Sequence, residues 1–206
     1  MRDAVVPNWL KIAYTLWFFV WVPVYYFQAG PANFLWLCDI GNAVILIAMW
    51  TGSRALFSSQ AVGVLLIQSF WILDVLGRLV LGFHPVGGTE YMFDPAEPVL
   101  VRFLSLFHLW IPILLLWTVY RFGMDPKGWK VQTLISWMIL PLSSLTDPAL
   151  NINWLQGPFG VRQTLMPDAL YMVLCLVLYP LVLFRPTQWA LDAWARRLAR
   201  RRGSRI

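Results

Sequence analysis

The stretch VLVRFLSLFHLWIPILLLWTVY, residues 99–120, carries one arginine, one histidine and no acid. As an α-helix it would reach about 33 Å, enough to cross the roughly 30 Å hydrocarbon core of a bilayer. Its apolar residues run round the helix instead of along one stripe, the pattern of a segment with no face turned to water. Five more segments repeat it, at approximately 9–27, 31–50, 55–82, 129–147 and 166–185. Between them stand Gly30-Pro31, Thr51-Gly52-Ser53, Pro85 with Gly87-Gly88, Asp125-Pro126 and Gly157-Pro158, all turn-forming chemistry. The third segment is longer than a bilayer needs and is expected to tilt or project. Pro23, Pro112, Pro141 and Pro180 fall inside segments and predict kinks. The expected fold is all-α and polytopic: six transmembrane helices in one bundle over residues 1–185, then a basic, amphipathic, cytoplasmic tail helix over 186–206.

Composition agrees. Of the 206 residues 59% are apolar and only 13% charged, against roughly 25% charged in soluble domains. Several of the 13 tryptophans, among them Trp9, Trp36, Trp50, Trp129, Trp154 and Trp189, sit near segment ends, where amphipathic rings favour the headgroup region. Cys38 and Cys175 both lie in apolar runs and suggest neither a disulfide framework nor a thiolate metal site. The first apolar run is too long for a signal-peptide core and reads as an uncleaved first span.

Charge sets the orientation. With both ends on one side, only Arg78, Arg102 and Arg162 of the 16 basic residues fall on the other. The positive-inside bias then makes that shared side cytoplasmic, in a cell inner membrane. In the tail, Trp189, Leu191, Trp194 and Leu198 alternate with Arg196, Arg197, Arg200, Arg201 and Arg202. Such a helix suits an anionic leaflet, and its tether at the bilayer argues against nucleic acid as a partner.

Ionisable groups inside spans cost about 2.5–3.5 kcal/mol each to insert, so they face the bundle interior and often mark function. Asp39, Asp74 and His108 each fall roughly 12–15 Å from the same outer surface at 1.5 Å per residue. Asp39 shares a helix face with Asn42, Asp74 with Arg78, and His108 with Arg102, Ser105 and Pro112. The expected site is a polar pocket near the outer surface, covered by the loop holding His84, Gly87, Gly88, Glu90, Asp94 and Glu97. Ser143, Ser144, Thr146, Asp147, Asn151, Asn153 and Gln156 reach the same side.

Three chemistries fit that layer. His108, its tautomer fixed by Asp39 or Asp74, could serve as a general base. Cys38, Ser105 or Ser144 beside an oriented imidazole could carry acyl transfer. His84, His108, Asp39 and Asp74 could hold zinc, although no histidine pair has helical ligand spacing. The structural alternative is a buried network in which Arg78 neutralises Asp74 and Arg102 or His108 satisfies Asp39, with Cys38 a small buried hydrophobe.

Leu35-Trp36-Leu37-Cys38-Asp39, with Phe107-His108 on a separate span, resembles the YwaF-type six-span integral membrane proteins. Those are similar to intramembrane enzymes that transfer or hydrolyse acyl chains. The resemblance implies Cys38 as nucleophile and His108 as base. Trp36 stands where a polar residue is expected, and no glycine precedes His108.

The sequence therefore predicts a lipid-acting membrane protein whose acyl-lipid substrate arrives sideways from the bilayer. The alternatives are a non-catalytic accessory or scaffold subunit with a membrane-protein partner, and a small proton-coupled transporter. Transport is disfavoured because the inner halves of the spans read as almost uniformly apolar.

Overall fold

The structure, a computed structural model, describes residues 5–203. Of the basic residues counted above, Arg2, Arg205 and the side chain of Arg202 lie outside the described residues. The elements are α1 (Asn8–Gln28), a 3₁₀ turn (Pro31–Leu35), α2 (Leu37–Thr51), α3 (Arg54–Leu81), α4 (Val99–Leu104), α5 (Phe107–Phe122), α6 (Gly128–Ser143), short 3₁₀ turns between residues 148 and 160, α7 (Asp168–Leu178), a π-helical segment (Tyr179–Phe184) and α8 (Arg185–Gly203). Among the described residues there is no strand.

Four helical runs are long and apolar enough to cross a membrane: Asn8–Gln28, Arg54–Leu81, Val99–Phe122 and Asp168–Arg201. The expected second and fifth spans are shorter. In the second, Gly30 adopts φ 78 and Pro31 opens a 3₁₀ turn, so α2 keeps 15 residues, about 22 Å. In the fifth, the hydroxyls of Ser143, Ser144 and Thr146 turn back onto the carbonyls of Ile139, Pro141 and Ser143 at 2.7–2.9 Å. That competition closes α6 after 16 residues.

The helix ends follow local chemistry. Gly52 and Gly82 take left-handed φ values of 66° and 81° at the C-termini of α2 and α3, a conformation that only glycine adopts without strain. Ser53 caps α3 by accepting the Leu56 amide at 3.3 Å. Pro180 cannot donate to the Leu176 carbonyl four residues back. The Trp137 indole supplies the missing donor at 2.9 Å, and the helix widens into the π segment there. The tail helix is therefore continuous with the last span: α8 extends α7 as one 34-residue run.

α3 is the central strut and packs on α2, α5 and α6. The core holds an aromatic cluster in which Trp17 meets Trp110 at 4.9 Å and Trp21 meets Phe107 at 5.9 Å. Outward-facing residues such as Phe19, Val80, Leu145 and Val182 are largely exposed, as befits a lipid-facing surface.

Contacts define two ends. At the basic end, the Asp125 amide donates to Ser58 Oγ at 2.8 Å and Gln188 Nε2 to the Asp125 carbonyl at 3.2 Å, while Arg54 lies 3.9 Å from the Asp125 carboxylate. This gathers the α2–α3 turn, the α5–α6 turn and the start of α8. Gly128 is required there, because a Cβ would fall 2.7 Å from Gln188 Oε1 and 2.8 Å from Ser58 Cβ. At the opposite end the α1–α2, α3–α4 and α6–α7 connections meet around a cavity.

Candidate functional site

The cavity measures about 340 Å³, within the range of small-ligand sites. Cys38 and Asp39 line it from α2, and His108 from α5. Tyr25, Trp36, Phe70, Trp71 and Trp154 form aromatic walls, and the α3–α4 loop contributes Val86, Gly87, Gly88, Thr89, Tyr91 and Glu97. The loop expected to cover the site does so.

His108 is 8% exposed and its Nδ1 lies 2.9 Å from the Ser105 carbonyl. A carbonyl only accepts, so Nδ1 carries the hydrogen and Nε2 the lone pair. Nε2 makes no hydrogen bond among the described residues. Trp71 stacks on the ring at 4.6 Å and 9°, and Phe107 at 3.9 Å and 27°. Those aromatic contacts and the carbonyl fix the imidazole; no carboxylate among the described residues does, contrary to expectation. The carbonyl is available because the fourth span breaks between α4 and α5. Ser105 Oγ donates back to Val101 O at 2.9 Å and accepts from Tyr25 Oη at 2.5 Å, stabilising that break.

Asp39 is the third residue of α2, not a residue deep within a longer helix, because Pro31–Leu35 forms its own turn. A carboxylate in a first helical turn is favoured by the exposed amides and the helix dipole. Oδ2 accepts from Asn33 Nδ2 at 2.7 Å, and Cys38 Sγ approaches Oδ1 at 3.9 Å, a long, weak thiol contact. Neither Arg102 nor His108 pairs with Asp39, and Arg102 Nε is without a partner among the described residues.

Asp74 departs furthest from expectation. Its side chain is fully buried, yet it is not a wall of the cavity and does not pair with Arg78. Oδ1 accepts the Val86 and Gly87 amides at 2.7 and 2.8 Å, and Oδ2 bonds the Thr89 hydroxyl and His84 Nδ1, the latter at 3.0 Å. Arg78 instead donates to the Gly82 carbonyl and lies over the Phe93 ring. The reason is the αL turn at Gly82, which folds residues 84–89 back over the last turns of α3. Asp74 thus anchors the roof from outside the pocket. Within the roof, burial pushes the Tyr91 phenol up to about 12, so it stays neutral, accepting from Trp71 Nε1 at 3.2 Å.

The zinc arrangement is split accordingly, with His84 and Asp74 under the roof and Asp39 and His108 in the cavity. Among the described residues no group of three or more His, Cys, Asp or Glu side chains converges on one point. Ser144 caps α6 and Ser105 supports His108, so neither faces the cavity as a nucleophile.

The sequence reading placed Asn153 on this side of the bundle without a role, and it missed a second feature altogether. Asn153, at φ 54, accepts the Leu37 amide at 2.9 Å and donates to Leu35 O and Ser143 Oγ at 2.8 and 3.0 Å, pinning the start of α2. Its signal was an asparagine in a loop where αL is needed. The second is a buried polar column of Ser58, Ser59, Gln60, Gln132 and Ser136 toward the basic end, which corrects the expectation of uniformly apolar inner halves. Mid-span Gln60, Gln68 and Gln132 were its signal, passed over because they carry no charge. No protein family, no curated protein and no solved structure matches the chain.

Proposed function

We propose that this chain is a six-span integral membrane protein of the cell membrane, both termini cytoplasmic, that acts on an acyl lipid in a pocket in the outer half of the bilayer. Four long apolar runs support membrane residence. α2 with its 3₁₀ extension, and α6 with its hydroxyl-rich end, complete six crossings where the bilayer thins slightly around them. The clustering of basic residues supports the orientation. Reporter fusions at Gly88 and at the C-terminus should therefore report opposite sides; the same side for both would sink the six-span topology.

The observation that carries the chemistry is His108 in the cavity wall, with Nδ1 locked by a backbone carbonyl and the lone pair left on Nε2. In this reading Nε2 takes the proton from an attacking water or hydroxyl as its oxygen bonds to the acyl carbonyl carbon. The imidazolium then returns that proton to the departing alkoxide. Cys38, in the same wall, is the nucleophile that the YwaF-type resemblance implies, although its thiol is turned toward Asp39. Among the described residues that line the cavity, Asp39 and Glu97 are acidic and none is lysine or arginine. Carboxylates and aromatic faces together favour a lipid whose headgroup carries an ammonium.

Lipid extracts from cells carrying the native protein should differ from those of cells carrying His108→Ala at equal protein level. Identical profiles would favour the accessory-subunit reading, to which the purely structural use of Asp74 already lends support.

A further inference from the structure

The buried amides between α2, α3 and α6 have no role in lipid chemistry, yet several of them are fully buried without partners among the described residues. Asn42 is fully buried, and both its side-chain nitrogen and oxygen lack partners among the described residues. The same holds for Gln68. Gln132 Nε2 and Ser136 Oγ, also fully buried, are likewise unpartnered. Each such group left dry would cost several kcal/mol in a bilayer. Native interiors meet that cost with ordered water or with a ligand.

These groups are not scattered. Asn42 lies one helical turn below Asp39 on the same face of α2, and Asp39 opens on the cavity. Gln68 adjoins Ile67, another cavity residue. Next to Asn42, the Cβ position of Gly41 lies 3.1 Å from Gln60 Oε1. Gln60 Nε2 donates to Gln132 Oε1 at 3.2 Å and to Ser59 Oγ at 3.0 Å. Gln132 in turn lies flat on Gly63, where a Cβ would fall 2.3 Å from its amide carbon. One residue beyond Ser59, Ser58 Oγ holds the Asp125 amide at the basic end. The string therefore runs from Asp39 to the main-chain amide of Asp125, with water needed to bridge Asp39 to Asn42, Asn42 to Gln60 and Ser59 to Ser58.

We propose that this string is a hydrated proton path linking the Asp39 cavity to the basic end at Asp125, so that the protein conducts protons across the membrane. Amides do not titrate near neutrality, but they donate and accept, and so can order a file of water along which a proton hops. Asp39 takes the proton from the cavity, the water file passes it along the Asn42, Gln60 and Gln132 amides, and the inner solution receives it at Asp125. Intramembrane carboxylates joined to polar side chains are the usual makings of such relays. The apolar inner halves expected from the sequence had counted against transport, and the observed column removes that objection.

The test is proton flux in liposomes holding the full chain and a trapped pH indicator, driven by a potassium gradient with valinomycin. The native protein should acidify the interior faster than protein-free liposomes. The double variant Gln60→Met, Gln132→Met replaces a hydrogen-bonded pair by apolar side chains of similar shape, a change that tends to preserve stability. Its flux should fall to the protein-free rate. Should it fail to fold, Asn42→Leu, which removes a side-chain amide with no partner among the described residues, is expected to give the same loss. Native flux equal to protein-free liposomes, or full flux in a folded variant, would overturn the path. Neither result bears on lipid turnover, because no lipid product is read.

Discussion

Asp74→Ala should lower stability by about 3–5 kcal/mol, the scale for removing one partner of a buried charged network. The carboxylate is fully buried and serves two backbone amides, a hydroxyl and an imidazole. Alanine leaves the Val86 and Gly87 amides and the Thr89 hydroxyl without their acceptor, leaves His84 Nδ1 only its 3.1 Å contact with Thr89 Oγ1, and makes no new contact. Because they belong to residues 84–89, the first consequence is release of the roof. Limited proteolysis in detergent should cut between residues 83 and 98 while the helices stay intact, and the melting temperature should fall. Asp74→Asn keeps Oδ1 for Val86 and Gly87, and its amide can donate toward Thr89 and His84. Its loss should be smaller, about 1–2 kcal/mol. An alanine variant as stable and protease-resistant as the native protein would show that the roof is held by something else.

Asn153→Ala is the second large effect, about 2–4 kcal/mol from three lost hydrogen bonds and a strained backbone. Asn153 sits at φ 54, where asparagine is among the few residues tolerated and alanine is not. Its side chain ties the Leu37 amide and the Leu35 carbonyl to Ser143, fixing the turn from which α2 starts. Cys38 and Asp39 are the next residues along. Loosening that start should expose Cys38, which is only 9% exposed in the native fold. Maleimide labelling of Cys38, with Cys175 replaced by alanine, should therefore be faster in Asn153→Ala than in the parent. Equal labelling rates would show that α2 keeps its start without the asparagine.

Hydrophobicity and length were enough to locate the long helices, because lipid imposes one rule along the whole chain. Apolar runs over 9–27, 55–82 and 99–120 became helices or helix pairs close to those bounds. Interruptions were harder to read, since they depend on single side chains. Ser105 could have pointed anywhere; its bonds to Val101 and Tyr25 make the break that frees a carbonyl for His108. Depth arguments brought Asp39 and His108 to one cavity, but failed for Asp74. Counting residues along a helix cannot reveal that the following loop folds back to cover it. The expected Asp74–Arg78 pair had the right spacing, yet backbone amides at 2.7–2.8 Å proved the better partners. Charge drew attention to carboxylates and arginines, while the uncharged glutamines of α3 and α6, also costly in lipid when unpaired, went unweighed.

The partners of Asp74 follow it in the chain by only 10 to 15 residues. Those of Asn153 precede it by as many as 118. During synthesis the two anchors must therefore close at different moments. The buried Asp74 carboxylate finds its ligands soon after leaving the ribosome, before the fourth span has emerged. The α2 start waits, unpinned, through the insertion of three further segments, until the α6–α7 loop arrives. A chain stalled before residue 153 would hold a finished roof over a site whose α2 wall is not yet fixed.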